Sequence, residues 1–101
     1  QEGVRMELLV TYDVATIDAA GARRLRRVAK ICEAHGQRVQ KSVFECTLSA
    51  AQKEQFLHAL SQEIDEENDS LRLYHLQQPR KQYLVVLGKT LDLDLHDPLI
   101  V

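Results

Sequence analysis

The run Met6-Glu7-Leu8-Leu9-Val10-Thr11-Tyr12-Asp13 is aliphatic, β-branched or aromatic, with no Gly or Pro inside it. Such a run is a β-strand. Its period of two puts Leu8, Val10 and Tyr12 on one face and Leu9, Thr11 and Asp13 on the other. Both faces are substantially apolar, so this strand belongs inside a sheet and needs cover on both sides. It ends in a carboxylate. Ligands in α/β layouts gather where strands end, which makes Asp13 a candidate site. Aspartate is also common in turns and caps for its own hydrogen bonds. The strand alone leaves both readings open.

The rest of the chain alternates between periods. Val14 to Gly21 is a loop with Thr16 and Asp18 as candidate N-caps. Ala22 to Ala34 is helical, with Leu25, Val28, Ala29 and Cys32 at i, i+3, i+4 and i+7. Gly36 is expected to close this helix as a left-handed C′ residue. His35, just before it, suits the negative end of the helix dipole. Gln37–Gln40 and Val43–Leu48 are extended, with Lys41-Ser42 as the bend. Phe44, Cys46 and Leu48 share one face. Ser49 and Gln52 form a capping box for a second helix, from about Ala50 to Ile64, with Phe56, Leu57, Leu60 and Ile64 as its buried stripe. Asp65 to Asp69 has no spaced ligand loop for calcium and is expected to be a solvated acidic turn. Leu71–Leu76 is a strand. Tyr83–Leu87, ended by Gly88, is another. Beyond Lys89, Leu91-Asp92-Leu93-Asp94-Leu95 alternates apolar and acidic residues. So apolar a tail is expected to pair at a sheet edge or dock on another subunit.

This order predicts an α+β fold, a ferredoxin-like split βαβ sandwich with an extra C-terminal strand. Residues 6–88 form the domain and 89–101 the docking tail. Residues 1–5 carry no pattern and are expected to be a vector-derived remnant, with Met6 as the native start. Both helices cover one sheet face, so Leu9 lacks cover on the other. A two-fold homodimer, sheet against sheet, supplies it and brings two copies of Asp13 near one axis.

The 101 residues, 45% of them hydrophobic, suit one domain. No apolar run approaches the ~20 residues that span a bilayer, so no membrane partner is expected. Cys32 and Cys46 match no metal or redox spacing and are expected to be buried free thiols in a reducing cytoplasm. The net charge of −2 hides an asymmetry. Between Gly21 and Phe44, Arg23, Arg24, Arg26, Arg27, Lys30, Arg38 and Lys41 face the single acid Glu33, a balance of +6. The remaining residues hold six bases and fourteen acids, or −8. A basic block of this density marks either a nucleic-acid-binding surface or a solvated helix face. Phosphodiester hydrolysis needs a metal to polarise phosphate and activate water. Magnesium is held by one or two carboxylates with water and substrate phosphate. One Asp13 per chain becomes two in a dimer. No histidine is close to Asp13 as a general base: His35, His58, His75 and His96 are scattered. Phe44 and Tyr12, on the face opposite Asp13, belong to the core by alternation. No phosphate loop or serine triad is present.

Tyr12-Asp13-Val14 at the end of the first strand, an Arg-rich first helix, Gly36-Gln37-Arg38-Val39-Gln40-Lys41-Ser42-Val43-Phe44-Glu45-Cys46, and Asp69-Ser70-Leu71-Arg72-Leu73-Tyr74 together resemble the CRISPR-associated protein 2 family. The resemblance runs from Met6 to Val101. It implies a homodimeric, metal-dependent endonuclease of CRISPR adaptation that cuts RNA or double-stranded DNA. It also implies a partner, the CRISPR integrase, and a role in spacer acquisition. By the resemblance Asp13 is the catalytic residue and the ligand of a divalent metal, usually magnesium. Tyr12, Arg38 and Phe44 match further family positions, and Arg24 and Arg26 are the best matches to its helix arginines. Two other classes fit the residues. A non-catalytic DNA-binding scaffold would be indifferent to loss of Asp13. A ferredoxin-like small-molecule sensor would have no use for the arginine block.

Overall fold

Alternation places one strand at the centre and the fold follows from it. The computed structural model describes residues 4–77 and 84–89. The order is β1 (Met6–Asp13), α1 (Ala19–His35), β2 (Gly36–Gln40), β3 (Val43–Leu48), α2 (Ala50–Glu63) and β4 (Ser70–Leu76). The sheet runs β2-β3-β1-β4, and every neighbouring pair is antiparallel. β1 is therefore internal, as its two apolar faces require. This is the ferredoxin-like α+β arrangement that the element order predicts.

Both helices pack on one face. Leu8, Val10 and Tyr12 of β1 meet Phe44, Cys46 and Leu48 of β3, Val28 and Cys32 of α1, and Phe56 and Leu60 of α2 in a single core. Register pairs Leu8 with Cys46 and Val10 with Phe44. Alternation then turns Glu7, Leu9, Thr11 and Asp13 to the open face. Cys32 and Cys46 are free and buried, and burial pushes the Cys32 thiol up to about 12, so it stays protonated and inert.

The helix ends depart from the sequence reading. α1 begins three residues early, because Asp18 caps it by accepting from the Gly21 N–H at 2.8 Å. Gly36 is not left-handed. Its backbone is extended, with φ −163°, and it opens β2 directly from the helix. Glycine is needed there for closeness: a Cβ would lie 2.5 Å from both Cys46 Sγ and the Glu45 carbonyl. His35 holds the last turn through Nδ1, 2.8 Å from the Ile31 carbonyl, and stacks on Phe56 at 4.7 Å. A carbonyl only accepts, so Nδ1 carries the proton. The Ser49–Gln52 capping box is present in both directions, at 3.2 and 2.9 Å. Leu57 faces solvent, 37% exposed, because Phe56 and Leu60 already fill the i, i+4 stripe.

The expected strand Tyr83–Leu87 does not form where it is described. Leu84 to Leu87 have no regular structure and stand exposed, Val85 at 79% and Leu87 at 88%. They line a groove with Gln37 to Gln40 of β2 and with Glu45 of β3, whose side chain is on the face opposite the core. Tyr83 and the Leu91–Leu95 alternation fall outside the described residues.

Candidate functional site

Asp13 closes β1, exposed, with Ser70 of β4 as its cross-strand partner. Thr11 pairs with Arg72 and Leu9 with Tyr74 on the same open face. Arg72 donates to the Tyr74 hydroxyl at 3.1 Å, and that bond holds its guanidinium pKa above the usual value. Asp13 thus looks out over a strip of Ser70, Thr11, Arg72 and Tyr74. The sequence reading did not single out Arg72 or Tyr74 as site residues. Their signal is the alternation Ser70-Arg72-Tyr74, which has meaning only once β4 is known to pair with β1.

Tyr12 and Phe44 sit beneath the site rather than in it. Phe44 is fully buried and Tyr12 nearly so, their rings stacked at 6.2 Å. Desolvation raises the Tyr12 pKa, so its hydroxyl remains protonated. Among the described residues no three His, Cys, Asp or Glu side chains converge on one point. One exposed carboxylate still fits magnesium, a hard cation that keeps much of its water and takes few protein ligands.

The basic block divides into two kinds of residue. Arg23, Arg26, Arg27 and Lys30 are all exposed. Their i, i+3, i+4, i+7 spacing makes one stripe about 10 Å long on the solvent side of α1. Arg27 reaches Glu63 of α2 only loosely, at 3.8 Å, and is 59% exposed. Lys41 is exposed in the β2–β3 turn.

Arg24 and Arg38 differ from the stripe in having partners within the chain. Arg24 turns inward onto Asp69, with Nε at 2.8 Å and Nη2 at 3.1 Å from the carboxylate. Arg38 donates to Glu33 at 3.0 Å and to the Lys41 carbonyl, and lies 4.9 Å from the Phe44 ring centroid. Both guanidiniums are committed within the chain, where the fork geometry of arginine is used for packing and pairing.

Asp69 corrects the sequence reading of 65–69 as a solvated turn. Its side chain is fully buried. Besides Arg24 it accepts from the Asp65 and Ala15 N–H groups, each at 3.0 Å. Arg24 above all, with these N–H groups, holds its carboxyl down at about 2.

The family model for CRISPR associated protein Cas2 matches residues 6–83. The chain belongs to the Cas2 family. It is 52% identical over 96 residues to a protein of Moorella thermoacetica named CRISPR-associated endoribonuclease Cas2 1, covering 95% of this chain and all of that one. It is 47% identical over 95 residues to the CRISPR-associated endonuclease Cas2 of Halalkalibacterium halodurans, covering 94% and 99% of the two chains. The crystal structure of Streptococcus pyogenes Cas2 at pH 6.5 superposes with a TM-score of 0.74 at 49% identity, covering 82% of this chain and all of that one. The Cas2 resemblance read from Tyr12-Asp13 and the Arg38–Glu45 stretch is thereby established, and so is the Cas2 fold. No described helix is long and apolar enough to cross a membrane.

Proposed function

We propose that this Cas2 chain is a CRISPR-adaptation nuclease that works as a homodimer, holds magnesium at Asp13 and cleaves phosphodiester bonds. The observation that carries the reading is Asp13 itself: an exposed carboxylate at the end of the central strand, on the sheet face that neither described helix covers. Its two relatives described above are named for nuclease activity. When bound, magnesium supplies charge to polarise the phosphate and lowers the pKa of a water.

The protein does the rest. Asp13 fixes the cation's place on the sheet. The exposed stripe Arg23, Arg26, Arg27 and Lys30, with Lys41, binds the DNA or RNA backbone through its phosphates and sets no sequence preference. Arg72, on the face of Asp13, orients the phosphate under attack. Tyr12 and Phe44 hold the strand from below. Leu9 and Tyr74 leave apolar surface on the open face, and a second copy across a two-fold axis covers it and brings a second Asp13. The CRISPR integrase is the partner, and spacer acquisition is the process served.

A second reading has one observation in its favour. The basic stripe is built on α1, independently of Asp13, so binding does not require cleavage. In that reading the dimer is a scaffold for DNA. Incubating labelled RNA and duplex DNA with wild type and Asp13→Asn, in magnesium or chelator, separates the two. Magnesium-dependent cleavage lost in Asp13→Asn supports the nuclease. Binding without any cleavage supports the scaffold.

A further inference from the structure

The backbone that carries Asp13 out of the sheet is held by an ion pair whose carboxylate is buried and whose guanidinium is partly exposed. Two residues past Asp13, the Ala15 N–H donates to Asp69 Oδ1 at 3.0 Å. The same oxygen accepts from Arg24 Nη2 at 3.1 Å. Oδ2 accepts from Arg24 Nε at 2.8 Å and from the Asp65 N–H at 3.0 Å. A carboxylate has about four acceptor sites, and Asp69 uses them all. On the other side of the same residue, Gly21 packs so tightly that a Cβ there would collide with the Ala15 carbonyl oxygen. Asp69 also directly precedes Ser70, the cross-strand partner of Asp13. The turn after β1 is therefore fixed from β4, from α1 and from the turn before β4.

We infer that the Arg24–Asp69 ion pair is a positioning device for Asp13, fixing the β1–α1 turn so that the carboxylate projects from the open face in one orientation. The inference rests on Asp13 being the metal-holding carboxylate. A lone carboxylate needs such support more than a cluster does. With no second ligand from the described residues of its own chain, its orientation is set by its backbone and by what holds that backbone. Arg24 is then a positioning residue, kept from phosphate by Asp69.

Steady-state cleavage of labelled nucleic acid at varied magnesium tests this, using Asp69→Asn and Arg24→Lys beside Asp13→Asn. Asn keeps the volume of Asp69 but presents an NH2 where a donor must be accepted. Lys keeps the charge of Arg24 but cannot span both oxygens. Supporting groups around metal ligands are typically worth about 10- to 100-fold, so kcat should fall by that much. KM for the nucleic acid should stay within about twofold, since the stripe on α1 is untouched, and magnesium titrated by calorimetry in the absence of nucleic acid should bind more weakly than to wild type. Ser49→Ala is the control for stability alone: it removes the α2 cap, lowers the melting temperature and should leave kcat unchanged. If Asp69→Asn does not fold, Arg24→Lys decides. Wild-type kcat and magnesium affinity in the folded variant, with Asp13→Asn inactive, overturns the positioning role and leaves the nuclease reading intact. An equal loss of kcat in Ser49→Ala overturns it too. No cleavage by the wild type, or wild-type cleavage by Asp13→Asn, overturns the nuclease reading and this inference with it.

Discussion

Asp13 and Asp69 are both aspartates at the edges of β-strands, and their surroundings give them opposite work. Asp13 is exposed and contributes little to the core, so Asp13→Asn should fold and melt like wild type, within about 0.5 kcal/mol. A cooperative thermal melt checks this. Binding of nucleic acid should persist, while metal-dependent cleavage disappears. Asp69 is fully buried and its carboxyl is held at about 2. A depressed native pKa stabilises the fold above the unfolded value of about 3.9 and loses that contribution as pH falls through the native one. Stability should therefore drop between about pH 4 and pH 2, and Asp69→Asn should remove that part of the acid limb. Urea titrations across this range measure it; an unchanged pH slope in Asp69→Asn would assign the acid sensitivity to other groups.

The elements were largely legible because each has one clean period. β1, β3 and β4 alternate, and α1 carries its stripe through Val28 and Cys32. Ser49 and Gln52 mark the start of α2 unaided. What was not legible depends on distant partners. An acidic run reads as solvated until Arg24, 45 residues away, is seen to meet Asp69. Gly36 reads as a helix terminator because sequence does not reveal that Cys46 lies against it. Helical spacing already sets Arg23, Arg26, Arg27 and Lys30 off the apolar stripe, but sequence does not reveal that Arg24, one turn before Val28, meets Asp69. Each stripe residue that neutralises a duplex phosphate contributes about 0.9 to the log–log salt slope of affinity. Arg23→Ala and Arg26→Ala should each lower the slope by that amount across unrelated sequences, as read from fluorescence anisotropy at several salt concentrations. A flat salt dependence in the wild type would exclude backbone phosphates as the anionic partner. Within the core, Phe56 is fully buried, and Phe56→Ala should cost about 3–5 kcal/mol in urea unfolding.

At the scale of the molecule, both described helices cover one sheet face and neither covers the other. Leu9 and Tyr74 on the face opposite the core, and the exposed Leu84 to Leu87 beside β2 and Glu45, are apolar surface that a second copy would bury. Sedimentation at micromolar concentration should give the mass of a dimer, and removing residues 92–101 should weaken it. A monomeric mass for the intact chain would end the two-fold account.

That account makes both copies of Asp13 part of one metal-dependent site, and subunit mixing tests it most directly. Wild type and Asp13→Asn are unfolded together, refolded at varied ratios, and assayed for magnesium-dependent cleavage. If the site needs both carboxylates, activity follows the square of the wild-type fraction and equal mixing leaves about one quarter. A linear decline, with about one half remaining, would show that each subunit acts alone and contradict the shared site.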